Sequence, residues 1–380
     1  MSENNAPYIK NVKLKGYKSI KDLEIDLLPG LNIIIGPNGS GKSNFLELVE
    51  KILDLEYDEK QVSKIDAELT IINKKFHSFL PVGTTSIQWN KGGKNLIPPK
   101  TADHFELLNI IEKGKHNFFL KVNFLLPEKI KALEDNCSLS ILLNESDFGF
   151  MSFMTEKPIG NNLYFLFIHL YNSVYSNYNK VNKILESGKD DDNFFKNEFE
   201  NDKKIIEIQN NLKLYTPISA IRISDGFSIK SNKVDEINVN YLRLEFLING
   251  EWLDWQQLSD GTKRLFYIVA EITAHEDKII LLEEPEIGVH PTQLFSLMNF
   301  LISQAKHKQI IISTHSPQVL NTLASYQLQS IIVAEMTDKG TKMRHLTEKQ
   351  IKKAKNYMAT ELSLGDYWLH SDLEPQNTAL

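Results

Sequence analysis

Residues 30 to 53 read GLNIIIGPNGSGKSNFLELVEKIL, and this stretch constrains the fold more tightly than any other part of the 380-residue chain. Leu31 to Ile35 form a continuous apolar run, which suits a strand buried on both faces. Near Gly41 the pattern changes to that of an amphipathic helix. Between the two, Gly36-Pro-Asn38-Gly39-Ser-Gly41-Lys42-Ser43 fits G-x-x-x-x-G-K-[ST], with the strand before and the helix after that this motif requires. Glycines are needed there because the backbone must curl with its amide hydrogens pointing inward, around phosphates that a β-carbon would obstruct. Lys42 is then expected to reach the β- and γ-phosphates, and the Ser43 hydroxyl to ligate Mg²⁺. A mere glycine-rich turn before a helix would not specify all of these residues in this context. The loop is read as holding a nucleoside triphosphate.

The rest of the chain is consistent with an α/β head. Hydrophobic content is 42% and charged content 24%, values of an ordinary globular protein. The longest apolar run, Leu163 to Leu170, is far short of the ~18 residues of a membrane span, so no membrane association is expected. MSENNAPYIK has no apolar leader segment, and the single cysteine, Cys137, excludes an internal disulfide; both point to the cytoplasm. A net charge of −6 argues against coating nucleic acid by overall charge but leaves room for a local basic patch. Lys352, Lys353 and Lys355 are such a cluster, and on pattern alone they read as the wet face of a helix.

Along the chain, YIKNVKLKG and LEIDLL half-alternate and read as strands. AELTII, TSIQWN, FELLNII, FFLKVNFLL and SLSILL follow as further strands, expected to be antiparallel because no clear helix separates them. Leu170, Val174, Tyr178, Val181 and Leu185 have helical spacing, and Phe195, Phe199 and Ile206 suggest a returning arm, giving a helical hairpin over 170–214. Asn249-Gly250 between two alternating runs marks a β-hairpin. A helix from about Asp260, the strand KIILLEE, a helix from Pro291, the strand QIIIST and the strand SIIVAEM then alternate, as in a parallel sheet covered on both faces. The expected organisation is a composite head of residues 1–95 and 215–380, split by an insertion at 96–214.

Three later elements can complete a nucleotide site. The strand ending Glu283-Glu284-Pro285 puts carboxylates at the sheet edge, where the first can serve Mg²⁺ and the second can orient an attacking water. Read alone, such an ending is usually a solvated strand terminus. Thr314-His315 ends a neighbouring strand, where a histidine is most often a packing or capping residue but here comes within reach of a γ-phosphate. LSDGTKRL, Leu258 to Leu265, has in Ser259 a good N-cap and in Gly261 room for close approach; read alone it is only a capped helix.

The order P-loop, LSDGT, LLEEPEIGVHP, STHSP resembles the ABC-type ATPases, whose fold is a mixed sheet with an antiparallel β subdomain. The long segment between P-loop and LSDGT, and the opening VKLKGYKSIKDLEIDLLPGLNIIIGPNGSGKSNFLE, resemble the SMC/RecF/OLD-like branch, and within it the stand-alone ATPases of bacterial anti-phage systems. The ending ELSLGDYWLHSDL looks like that group too. This resemblance implies ATP hydrolysis with Mg²⁺, Glu284 and His315 as catalytic residues, and a homodimer around two ATP molecules. In it Ser259 and Gly261 would cover the ATP of the other subunit. It also implies that Lys18 lies near the nucleotide and, more weakly, that Gln88 links lobes. The partner it implies is a separately encoded effector, expected to be a nuclease. Glu283 stands where many members carry Asp, and Asp260 replaces the usual second signature glycine. An acid-rich nuclease domain of the OLD-like kind is not evident after His315. A DNA-end-binding repair ATPase and an ATP-stabilised scaffold with negligible turnover are the alternative readings. A transporter head is disfavoured by LSDGT and by the insertion.

Overall fold

The computed structural model describes residues 6–53, 65–74, 83–90, 93–97, 119–122, 137–142, 153–155, 192–225, 228–233, 236–242, 244–274, 279–360 and 363–370. The chain divides into two compact units, 1–123 with 275–380, and 124–274.

The first unit opens with β1 (Tyr8–Tyr17) and β2 (Ile20–Asp26), followed by β3 (Leu31–Ile35), whose five residues are all buried. Helix α1 (Lys42–Leu53) begins directly at the P-loop lysine and buries Phe45, Leu46, Leu48, Val49, Ile52 and Leu53. The chain then forms β4 (Asp66–Asn73), β5 (Gly83–Asn90), β6 (Gly93–Ile97) and β7 (Phe119–Val122). After the second unit it returns with β15 (Ile279–Glu283), α5 (Pro291–Gln304), β16 (Ile310–Thr314), α6 (Pro317–Leu320), β17 (Ile331–Thr337), β18 (Gly340–His345), α7 (Glu348–Met358) and α8 (Leu364–His370).

Two sheets organise this unit. One is antiparallel, in the order β2-β1-β4-β5-β6. The other has the order β18-β17-β3-β16-β15-β7, parallel except for β18. Its central strands β3 and β16 are buried at every position because both faces are covered. Gln309, fully buried, fastens the two sheets: its side chain exchanges hydrogen bonds with the Ile9 backbone at 2.9 Å each way and donates to the Leu28 carbonyl at 2.8 Å.

One expectation is corrected. Phe119–Val122, read as part of the antiparallel series, runs parallel beside β15, with Phe119 opposite Ile279. Its FFL run lacks the alternation of a half-exposed antiparallel strand and suits the apolar sheet instead.

The second unit contains β8 (Cys137–Leu142), β9 (Phe153–Thr155), α2 (Asp192–Asn201), α3 (Lys203–Tyr215), β10 (Ala220–Ile223), β11 (Ser228–Lys233), β12 (Glu236–Leu242), β13 (Leu244–Ile248), β14 (Glu251–Asp254) and α4 (Asp260–Ala274). Its sheets are antiparallel, ordered β11-β12-β8-β9 and β10-β13-β14. Asn249 and Gly250, at φ 52 and 86, make the tight turn between β13 and β14. Asp202 separates α2 from α3 by capping the latter, accepting from the amides of Lys204 and Ile205. FELLNII and the helical pattern from Leu170 to Leu185 lie outside the described residues.

Candidate functional site

The parallel register brings three strand ends to one sheet edge. Thr314 pairs with Ile35, and Glu283 with Ser313, so the P-loop, Glu283-Glu284 and Thr314-His315 all leave the sheet at its carboxyl side.

The loop itself has the cradle its glycines imply. Gly36, Gly39 and Gly41 take φ values of 155, 80 and 95. A β-carbon on Gly36 would stand 2.2 Å from the Ala334 carbonyl oxygen, and one on Gly41 would stand 2.0 Å from Thr341 Oγ1. The loop is therefore seated against β17 and β18. Thr341 Oγ1 donates to Ser19 Oγ at 2.7 Å, and Asn44 Nδ2 donates to the same oxygen at 2.7 Å, tying the β1–β2 turn to α1 and β18. Lys42, only 6% exposed, donates to the carbonyls of Gly36 at 2.7 Å and Pro37 at 3.0 Å. Ser40 Oγ is buried without a partner. A buried, unsatisfied hydroxyl in this glycine-rich loop, with a lysine in the same loop, fits a phosphate chain. Asn38 is exposed, as is Ser43 on the first turn of α1.

Glu284 has φ 45, in the left-handed region where a side chain is disfavoured, and its amide donates to the Ser313 carbonyl at 2.8 Å. Its Oε1 meets His315 Nδ1 at 2.9 Å. Glu286 Oε1 lies 4.0 Å from the same nitrogen. Carboxylates only accept hydrogen bonds, so Nδ1 carries its hydrogen toward Glu284 and Nε2 is the ring nitrogen available to a ligand. The pair can do two things: deliver a carboxylate to a water, and present an imidazole to an anion. Sequence reasoning missed Glu286. Its side chain is 8% exposed and accepts from Thr314 Oγ1 at 2.5 Å.

Glu283 is half-buried at the end of β15. Among the described residues, no group of three or more His, Cys, Asp or Glu side chains is arranged to hold a metal ion. A divalent ion here would need Glu283, a hydroxyl such as Ser43 and oxygens of the nucleotide, the oxygen-rich environment Mg²⁺ prefers.

Lys18 sits at φ 48 in the β1–β2 turn, where its ammonium is paired with Glu47 Oε2 of α1. Lys51 holds the other oxygen of Glu47 at 3.1 Å. Burial pushes the Glu47 carboxyl up, but its hydrogen bonds with Lys18, Tyr17 and Lys51 outweigh that and hold it down at about 2. The Glu47 bond in turn raises the Lys18 ammonium. Gln88 lies on β5, opposite Glu68 in the antiparallel sheet.

Ser259 and Gly261 belong to the second unit. Ser259 Oγ accepts from the Thr262 amide at 3.2 Å, which makes it the cap of α4, and Asp260 is almost fully exposed. The loop is braced from behind by Trp255, Phe246 and Phe266, whose ring centroids lie 4.9 to 5.8 Å apart. Among the described residues no helix is long and apolar enough to cross a membrane.

The family AAA_21, "AAA domain, putative AbiEii toxin, Type IV TA system", matches residues 31–321. The chain is 23% identical over 349 residues to Endonuclease GajA of Bacillus cereus (strain VD045), a match covering 84% of the chain but 57% of GajA. To the Retron Vc95 probable ATPase of Vibrio cholerae serotype O1 biovar El Tor it is 24% identical over 394 residues, covering 86% of the chain and 74% of the relative. Among solved structures, an SmcHead bound to the C-winged helix domain of ScpA superposes with a TM-score of 0.58 at 17% identity, covering 91% of this chain and 99% of that one, a likeness of fold. With its P-loop, its acidic strand end and a family match across well over half its length, the chain belongs to the AAA_21 family of ATPases and shares the ABC-type fold of the SMC head.

Proposed function

We propose that the chain is a nucleotide-driven control subunit of a bacterial anti-phage system: it dimerises around two ATP molecules in the cytoplasm and governs a separately encoded effector, a nuclease. The observation that carries the catalytic part is the Glu284–His315 pair, 2.9 Å apart at the strand ends beside the P-loop. The loop from Gly36 to Gly41 binds the phosphates through the amides of Asn38, Gly39 and Gly41, together with the Lys42 ammonium. Ser43 and Glu283 would hold Mg²⁺, which neutralises charge on the β- and γ-phosphates when bound. Glu284 accepts a hydrogen bond from the attacking water and orients it, while His315 Nε2 faces the γ-phosphate. Lys18 exchanges Glu47 for the nucleotide. Ser259 and Gly261 cover the γ-phosphate held by the other subunit. The effector docks on the insertion expected at 96–214, whose expected helical hairpin at 170–214 ATP chemistry does not need. The partners named here, and defence itself, are supported by likeness to GajA and the Vc95 ATPase, of which the chain spans 57% and 74%.

The test combines Glu284→Gln with Ser259→Arg. Glu284→Gln should slow hydrolysis about 10²- to 10⁴-fold while ATP binding survives, so an ATP-dependent dimer accumulates in light scattering. Adding Ser259→Arg should abolish that dimer and leave binding intact. A mass that ignores ATP, or a dimer indifferent to Ser259→Arg, sinks the sandwich.

One observation favours a second reading, a nucleic-acid partner. On α7 the exposed positions are Glu348, Lys349, Lys352, Lys353, Lys355 and Asn356. Lys349 and Lys353 join Arg344 of β18 around an open cleft of about 300 Å³. Such a face suits phosphodiesters on a chain whose net charge is −6. Lys349→Glu with Lys353→Glu should weaken DNA binding and flatten its salt dependence; unchanged fluorescence anisotropy titrations exclude this face.

A further inference from the structure

We infer that Glu286 is a positioning residue that sets His315 through Thr314, in addition to the Glu284 contact. The inference rests on the reading of His315 as a γ-phosphate contact. Glu286 Oε1 accepts the Thr314 hydroxyl at 2.5 Å, and that same hydroxyl oxygen accepts the Ser316 amide at 2.9 Å. The residues on both sides of His315 are thus tied to one carboxylate, on a turn 28 residues earlier in the chain. Val289 donates its amide to the Glu286 carbonyl at 3.1 Å, and Ile287 donates to the Glu284 carbonyl at 3.3 Å, so the turn carrying Glu284 and Glu286 is internally braced. Glu286 and Glu284 therefore set His315 from one element: Glu284 holds the ring, and Glu286 holds the backbone turn beneath it.

A role in the fold alone does not account for this glutamate. Its side chain is 8% exposed, and Oε2 is buried without a hydrogen-bond partner. Burying a carboxylate with one oxygen unsatisfied is unfavourable. Its Oε1 also lies 4.0 Å from His315 Nδ1, too far for a hydrogen bond but adding negative charge on the side of the ring that Glu284 already occupies. Both contacts keep Nδ1 turned toward the protein. That leaves Nε2 for the ligand, and small misplacements of such a group are costly to catalysis.

The experiment compares steady-state ATP hydrolysis and fluorescent-nucleotide affinity of the full chain with those of Glu286→Ala, Glu286→Gln, Thr314→Val, His315→Ala and Glu286→Ala/His315→Ala. Glu286→Ala should lower kcat about 10- to 100-fold with little change in nucleotide affinity. Thr314→Val, which removes the same hydrogen bond without emptying the buried acid site, should do the same and serves if Glu286→Ala does not fold. Glu286→Gln, whose amide oxygen can still accept from Thr314, should keep most of the rate. The double variant should be no slower than His315→Ala. Rates that multiply in the double variant, or Glu286→Gln as slow as Glu286→Ala, overturn the inference. If His315→Ala slows hydrolysis but Glu286→Ala and Thr314→Val do not, this inference alone fails. A His315→Ala protein as fast as wild type sinks the reading of His315 itself, and the inference falls with it.

Discussion

Glu284 occupies a backbone position that would suit glycine better, and this inverts an ordinary stability order. Its φ is 45, while its amide and carbonyl are held in place by Ser313 and Ile287 at 2.8 and 3.3 Å. A residue with a β-carbon in this conformation loses about 1–2 kcal/mol. Replacing Glu284 by Ala keeps that strain, whereas Gly releases it. Both changes remove the His315 contact and leave the backbone hydrogen bonds, so those terms cancel in the comparison. Gly gives back about 0.4–1 kcal/mol through the greater freedom of its unfolded chain. Glu284→Gly should therefore be more stable than Glu284→Ala by roughly 0.5–1 kcal/mol, where in an ordinary helix or strand Ala would win by a similar amount. Glu284→Asn should fall between them, because Asn tolerates left-handed backbone. Thermal melts should order the three variants as Gly, Asn, Ala with about 1–4 °C between the extremes. All three should be hydrolytically slow. An Ala variant as stable as the Gly one would show that position 284 is not held in the left-handed region, and the strain argument would collapse. If the order holds, the protein keeps an acid where glycine is the conformational optimum, which is the pattern expected when a side chain is retained for chemistry.

Lys42→Ala removes an ammonium held at 2.7 Å from the Gly36 carbonyl, and should weaken ATP binding by about 10- to 10²-fold, the worth of one charge-assisted hydrogen bond. Calorimetry showing tight binding by that variant would refute the P-loop assignment. Glu47 titrates at about 2 in the folded chain against 4.5 ordinarily, so its contribution to stability is fully present above pH 4.5 and is lost as pH falls toward 2. Glu47→Gln should accordingly narrow the gap between neutral and acid stability in denaturant titrations; an unchanged gap would mean that Lys18 and Lys51 do not hold the carboxylate.

What was legible in the sequence was local. LNIII followed by glycines and GKS dictates strand, loop and helix within one short span, and α1 indeed starts at Lys42. Asn249-Gly250 encodes its turn through the only two φ values such a turn permits, and both residues adopt them. Ser259 reads as a cap because hydroxyl-to-amide bonding within three residues is a local event. The rest depended on contacts between segments far apart. Glu286 carried no signal in the sequence, since Thr314 meets it only once β15 and β16 pair in parallel. Lys18 carried a hint of the nucleotide but no sign that Glu47, 29 residues away, would hold it. Phe119–Val122 was misjudged because its partner strand lies beyond the second unit, and turn length says nothing about such a pairing.

Several unfavourable choices in the first unit lie at the carboxyl edge of its parallel sheet. The interior is ordinary: β3 and β16 are buried at every position. At the edge, three glycines and Glu284 take positive φ, and Ser40 Oγ, Ser313 Oγ and Glu286 Oε2 are buried without partners. Each of these features costs stability by itself, and their concentration at one edge needs an explanation other than chance. A preorganised anion site supplies one, because amides and hydroxyls fixed in advance need not reorganise when charge arrives. The two acids beside His315 extend the same logic from binding to turnover. One takes a strained backbone to reach the ring, and the other is buried beneath the turn that carries it. Rigidity on that side is what a water-orienting carboxylate requires, since its effectiveness depends on position more than on affinity.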